Sequence, residues 1–281
     1  MLGVGVLCTA LLARPPEKGR RGAQERPLLP RKEVLLTVGA GYQHLVADYF
    51  WIQTLQAISL AWTPEQFRNI YDYAKLVIEL DPDFRPIYVF AGGALPAQDE
   101  TGNWHNTRES TELLEAGFRR FPDHVLLGIL YAYNLSVFAK EYRKAADVLS
   151  QTARIQGAPA YLTPLAARLY ARAGELDLGL ELATQAAESA EDPESKALFE
   201  RRVLQLKLER ELRHVDAALA EYVKTVGKPP QSVRDLVERG LLPRIPEDPF
   251  GGEIVIGPSQ RAHSSKQQER LGSPIDEDPL P

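Results

Sequence analysis

Cysteine is nearly missing from this chain. Cys8 stands alone, so no intrachain disulfide can form, and its apolar neighbours make it a small hydrophobic filler instead of an activated thiol. Histidine is sparse as well: His44, His105, His124, His214 and His263 are scattered, with no two-histidine metal spacing beside an acid, so no metal site is expected. Gly39-Ala40-Gly41 lacks the further glycine and the preceding strand of a dinucleotide turn. No Gly-Lys-Ser or Gly-Lys-Thr phosphate loop occurs either, and no cofactor is expected. The serines lie outside nucleophile-elbow contexts. There is also no basic excess, since 33 Lys and Arg face 38 Asp and Glu for a net charge of −5. Duplex binding needs a basic face to displace counterions, which excludes nucleic acid as an expected partner. These absences together point to a non-enzymatic protein.

Long apolar runs are scarce, and the one at the N-terminus is short. MLGVGVLCTALLA is uncharged and is followed at once by the basic stretch RPPEKGRRGAQER. A membrane span needs about 20 apolar residues, whereas the core of an export signal needs fewer. Residues 1–13 are therefore read as an export or anchoring segment, and residues 1–30 as that segment with a basic linker. A cell-envelope location, membrane-anchored or exported, is expected on this reading. A cytoplasmic location with a plain N-terminal tail is the alternative.

What the chain does have is helical periodicity. Leu35, Val38, Tyr42, Leu45, Tyr49, Ile52 and Leu55 recur by threes and fours and define one helix face, expected to be wrapped by later helices or to dock on a partner. Asp48 interrupts this apolar neighbourhood, and a structural ion pair or a solvated edge is its expected role. Further on, Ala145 in AKEYRKAADVLS and Gly179 in AGELDLGLELAT hold matching places 34 residues apart. In the second copy, LTPLAARLYARAGELDLGLELATQAAESAEDPE, Ala167 supplies a small residue in the first helix and Tyr170 an aromatic three places later. The preceding copy matches through Ala145, Leu149 and Thr152, with Tyr133 and Ser136 standing in place of the small and aromatic residues. FRNIYDYAKLVIELDPDF and TRESTELLEAGFRRFPDH resemble second halves of such units; Pro82 and Pro122 are 40 residues apart, and PAQDETGNWHN reads as an inserted loop.

Residues 63–193 thus resemble a degenerate array of three to four tetratricopeptide repeats, about half of the chain. The resemblance implies a helical-hairpin solenoid whose grooves hold partner proteins. Tyr131, Tyr133, Tyr161 and Tyr170 are the candidate partner-binding residues, although their helical spacing also suits core packing.

The C-terminal quarter carries a second pattern. Leu204, Leu208, Leu212, Val215, Leu219, Tyr222 and Val226 mark a long amphipathic helix ending at Gly227. Ser232 and Asp235 suit the start of a short helix and Gly240 its stop, before Asp248-Pro249 and Gly251-Gly252 turn into the strand Ile254-Val255-Ile256. This order of residues resembles the segment after the long helix in major pseudopilins of type II secretion and related type IV pilin-like proteins. No prepilin cleavage motif or calcium loop accompanies it, so an assembled pilus subunit is not expected.

The expected architecture is all-α: a tetratricopeptide-like helical-hairpin solenoid over 31–195, a long helix with a small helix plus β-hairpin module over 196–257, and a disordered tail over 258–281. The expected function is a protein–protein interaction scaffold of the bacterial envelope, serving a secretion, pilus or other surface assembly. A soluble cytoplasmic adaptor is the alternative. An enzyme with a site near Asp48 or the Trp104-His105 loop is a third reading.

Overall fold

The computed structural model describes residues 27–39, 41–267, 270 and 271. The apolar run 1–13 and positions 272–281 of the expected tail lie outside the described residues. The chain divides into two compact units, one running to Asn134 and the other starting at Leu135.

In the first unit, α1 (Lys32–Gly39), α2 (Gln43–Leu60), α3 (Pro64–Leu80) and α4 (Arg85–Ala94) precede a tight hairpin of β1 (Ala97–Gln98) and β2 (Trp104–His105), which leads into α5 (Thr107–Arg120) and α6 (Val125–Val137), whose last three residues fall in the second unit. Helix α2 packs on α3, and α4 on α5. Thr63 starts α3 through a capping box: its hydroxyl accepts from the Gln66 amide while the Gln66 side chain accepts from the Thr63 amide, with Pro64 in the first turn. Ile70, Ala74, Val77 and Leu80 then follow helical spacing on its buried face. Between α4 and α5 the approach is close, because a Cβ at Gly117 would lie 2.6 Å from the Tyr88 Cβ. Ser110 Oγ donates to Gly92 O at 2.6 Å and in turn accepts from Asn134 Nδ2 at 2.6 Å, so buried polar groups of α4, α5 and α6 satisfy one another.

Two expectations change here. The segment read as an inserted loop folds as the β1–β2 pair, with Ala97 opposite His105 and Gln98 opposite Trp104. The single helix read from Leu35 to Leu55 is two helices, broken where Gly41 takes φ 93°. Within α2 the buried residues are Ala47, Phe50 and Thr54, while Leu45, Ile52 and Leu55 of the expected stripe are exposed. Trp51 helps to choose the face, since its ring meets Phe84 at 5.5 Å and Phe90 at 5.6 Å.

The second unit contains α7 (Tyr142–Ala153), α8 (Leu162–Arg172), α9 (Leu176–Ser189), α10 (Pro193–Val226), α11 (Val233–Glu238) and the antiparallel pair β3 (Ile254–Ile256) and β4 (Ala262–Ser264). Successive helices pack: α7 on α8, α8 on α9, α9 on α10. The residues of the 34-residue match explain this closeness. Ala145 and Ala167 are fully buried, and a Cβ at Gly179 would sit 2.6 Å from Ala167 O and 3.5 Å from the Tyr170 Cβ. The fold is all-α, with tetratricopeptide-like hairpins and a small C-terminal helix plus β-hairpin module.

Helix α10 follows its predicted stripe from Leu208 on: Leu208, Leu212, Val215, Leu219 and Tyr222 are buried and share a core with Val233, Leu236, Leu242, Ile254 and Ala262. Leu204, the first residue of the expected stripe, is exposed, because at that turn Leu206 is the residue buried against Ala167 and Ala171. Gly227 ends it at φ 77°, and Ser232 and Asp235 form a capping box on α11. The expected tail differs from the structure. Residues 262–264 form β4, and Arg270 and Leu271 fold back on α10: Arg270 binds Asp216 at 2.6 Å and Glu209 at 3.1 Å, and the Leu271 amide donates to Glu209. Ser264, buried, donates to Asp248 of the Asp-Pro-Phe-Gly turn at 2.6 Å. The sequence suggests a boundary at 195/196, yet α10 packs on both α8 and α9.

Candidate partner-binding surfaces

Surface chemistry in the second unit gathers on the α7–α8 hairpin. Lys140, Glu141, Tyr142, Arg143, Lys144, Asp147, Arg172 and Ala173 line an open cleft of about 490 Å³. Lys140 adopts φ 58° just before α7, a left-handed step that turns the chain into the helix. Helical spacing then puts Arg143 and Asp147 one turn apart, with N–O 3.5 Å, and Arg143 also reaches Glu175 at 2.9 Å. Tyr170 Oη donates to Asp147 at 2.6 Å. Burial, and then this bond to an anion, raises the Tyr170 pKa above its ordinary value. Asp147 and then Glu175 raise that of Arg143. Arg172 lies over the Tyr142 ring at 4.7 Å. Paired anions thus occupy Arg143, while Arg172 and Lys140 present charge beside an aromatic face. Such a surface suits an acidic segment with an apolar or aromatic side chain.

The four candidate tyrosines have different surroundings. Tyr131 belongs to the core of the first unit, 2% exposed, with its ring 5.9 Å from Phe118. Tyr133 and Tyr161 are exposed. Tyr170 is half-buried in the polar network just described. Tyr131 and Tyr133 fall in one unit, Tyr161 and Tyr170 in the other. Sequence reasoning missed Tyr142, Lys140 and Arg172. For Lys140 and Tyr142 the available signal was the charged run Lys140 to Lys144 at the helix start, whereas Arg172 is brought to it by the packing of α8 on α7.

Asp48 is exposed, a solvated edge and not a buried acid. In the β1–β2 turn Asp99 accepts from the Thr101 amide and hydroxyl, the Asn103 amide and His105 Nε2, the last at 2.8 Å. The His105 bond first, then that of Thr101, hold its carboxyl well below the usual range. One carboxylate shared among four donors staples a turn. Among the described residues, no cluster of three or more His, Cys, Asp or Glu is placed to hold a metal ion, and no helix is long and apolar enough to cross a membrane.

No family model matches the chain, and no curated protein matches it. Among solved structures, it is similar to a thermophilic TPR protein of Thermus thermophilus: 17% identity, 62% of this chain and 100% of that one, TM-score 0.32.

Proposed function

We propose that this chain is a protein-binding scaffold of the bacterial envelope that holds a protein component of a secretion, pilus or other surface assembly. The α7–α8 cleft carries the reading. Stacked helical hairpins offer grooves between neighbouring helices to a partner, and here the α7–α8 cleft presents Lys140, Tyr142 and Arg172. The envelope part rests on the apolar run 1–13 and its basic linker. The pilin-like order from Tyr222 through Gly227, Gly240 and Asp248 to Gly251 supports a surface assembly, and the same module closes the end of the hairpin stack by sharing a core with α10.

The test is extraction of tagged full-length chain from its native cell, with mass spectrometry of co-purifying proteins in the membrane and soluble fractions. Envelope-machine subunits in the membrane fraction are expected, and Lys140→Glu with Arg172→Glu should cut their capture at least tenfold without moving the unfolding midpoint. Recovery only from the soluble fraction with cytosolic proteins would replace this reading with the adaptor. Capture unchanged by the double substitution would remove the cleft from it.

A further inference from the structure

The outward face of α2 is apolar in a patterned way. Positions 45, 48, 52, 55 and 59 step by three, four, three and four, a heptad seam, Trp62 follows just past the helix end, and all six are exposed. Leu45 is 67% exposed, Ile52 52%, Leu55 37% and Trp62, just past the helix end, 87%. Two polar residues sit in the same seam, Asp48 and Ser59. We propose that this face is an isologous interface with a second copy of the chain, α2 pairing antiparallel with α2 about a two-fold axis between positions 53 and 54.

The seam is complementary to itself in that register. Ile52 meets Leu55 of the other copy, Leu45 meets the end bearing Leu60 and Trp62, and Asp48 meets Ser59. The Ser59 hydroxyl, bonded to Leu55 O within its own helix, can turn to donate to that carboxylate. Every apolar position faces an apolar one, and the one acid faces the one hydroxyl. Other arrangements lose this match. A parallel pairing sets Asp48 against Asp48, and a slip of one heptad sets Asp48 against Ile52, leaving a charge without a partner. The same acid argues against a lipid surface as the occupant, because an apolar medium offers a carboxylate nothing. The four large side chains expose on the order of 500 Å² per copy, so pairing buries roughly 1,000 Å² in all, at the low end for a specific interface. The dimer is therefore a dissociable one. It does not depend on the scaffold reading, since neither the cleft nor the envelope enters the argument.

Disulfide trapping in the full-length chain tests the pairing in the cells that express it. With Cys8→Ser, the double substitution Asp48→Cys and Ser59→Cys puts the two thiols about 16 Å apart along one helix, too far for an intrachain bond. Mild oxidation should give at least ten times more covalent dimer than either single cysteine. Adding Ile52→Glu should abolish the dimer, and adding Leu55→Lys as well should restore it by facing opposite charges across the axis. Double-cysteine yield no higher than the single ones, or yield indifferent to Ile52→Glu, overturns the interface. So does trapping of the cysteines on a different protein. Circular dichroism of each variant shows that the exposed substitutions leave the helices folded.

Discussion

Helices α2 and α10 each carry apolar residues recurring at helical spacing, and the structure treats the two stripes oppositely. On α10 the stripe from Leu208 to Tyr222 faces inward, where α11 and the β3–β4 pair cover it. On α2 the stripe from Leu45 to Leu55 faces out, and the helix rests on Ala47, Phe50 and Thr54. Periodicity marks where apolar residues recur; it does not say which neighbour arrives to cover them. Helix α2 is apolar on most sides, so the large rings of Trp51, Phe84 and Phe90 choose the inner one. On α10, charged flanks leave Leu208 to Tyr222 as the face for α11 and the β3–β4 pair, while Leu206 is buried on the side toward α8 and α9. The helices also differ in how they treat ions. Glu209 of α10 is only 2% exposed, held by Arg213 at 3.0 Å and Arg270 at 3.1 Å, whereas Asp48 of α2 stands in solvent.

The sharpest way to break the comparison is through that buried ion. Arg270→Ala leaves Glu209 with Arg213 as its one remaining arginine and takes the cation from Asp216, and should cost about 3 kcal/mol in chemical denaturation. Burial works against the charge on Arg270, and its bonds to Glu209 and Asp216 outweigh it. Next come two substitutions within α2, measured at dilutions where the chain is monomeric. Phe50→Ala should cost about 3–5 kcal/mol by opening a core cavity. Ile52→Ala, two residues away on the outer face, should stay within about 0.5 kcal/mol; equal losses would mean that the outer face is covered within the chain. A smaller effect is expected in the first unit's own buried polar relay. Ser110→Ala removes the donor to Gly92 O and one acceptor of Asn134, leaving Thr111 at 3.3 Å as a partial substitute. Thermal denaturation should report a loss of about 1–3 kcal/mol.

The smallest effect contrasts the half-buried Asp99 of a surface turn with the buried Glu209. Because the folded Asp99 pKa is depressed, its contribution is present above the ordinary carboxylate value and is lost as pH falls through the lower folded value. Amide exchange at Thr101 and Asn103, corrected for intrinsic rates, should therefore quicken below about pH 4. Asp99→Asn should quicken it at neutral pH with the unfolding midpoint unchanged. A midpoint that moves would make the turn part of the core.

Much of the second unit was legible residue by residue. Ala145, Ala167 and Gly179 mark helix contacts because only small side chains permit them, and Ser232, Asp235 and Gly227 mark helix ends by local chemistry. Less legible was the segment after Ile256. Its polar composition suggests disorder, yet β4 and Arg270 are fixed by Ser264 on Asp248 and by Glu209, partners 16 and 61 residues distant. The candidate surface was legible only in kind. Tyrosines stand out in the sequence, but Tyr131 turns inward onto Phe118, and the cleft forms instead around Tyr142 and Arg172.

By itself the sequence determined the helical class, the positions of most helix ends and the hairpin spacing. Those depend on propensities, capping groups and contacts between small residues, all local in the chain or repeated at fixed distance. Tertiary structure alone decided which side of α2 faces water, where the ions of α10 are buried and that the expected tail supplies a strand. Each of these turns on a partner far away in sequence, and burial is a property of the partner as much as of the residue.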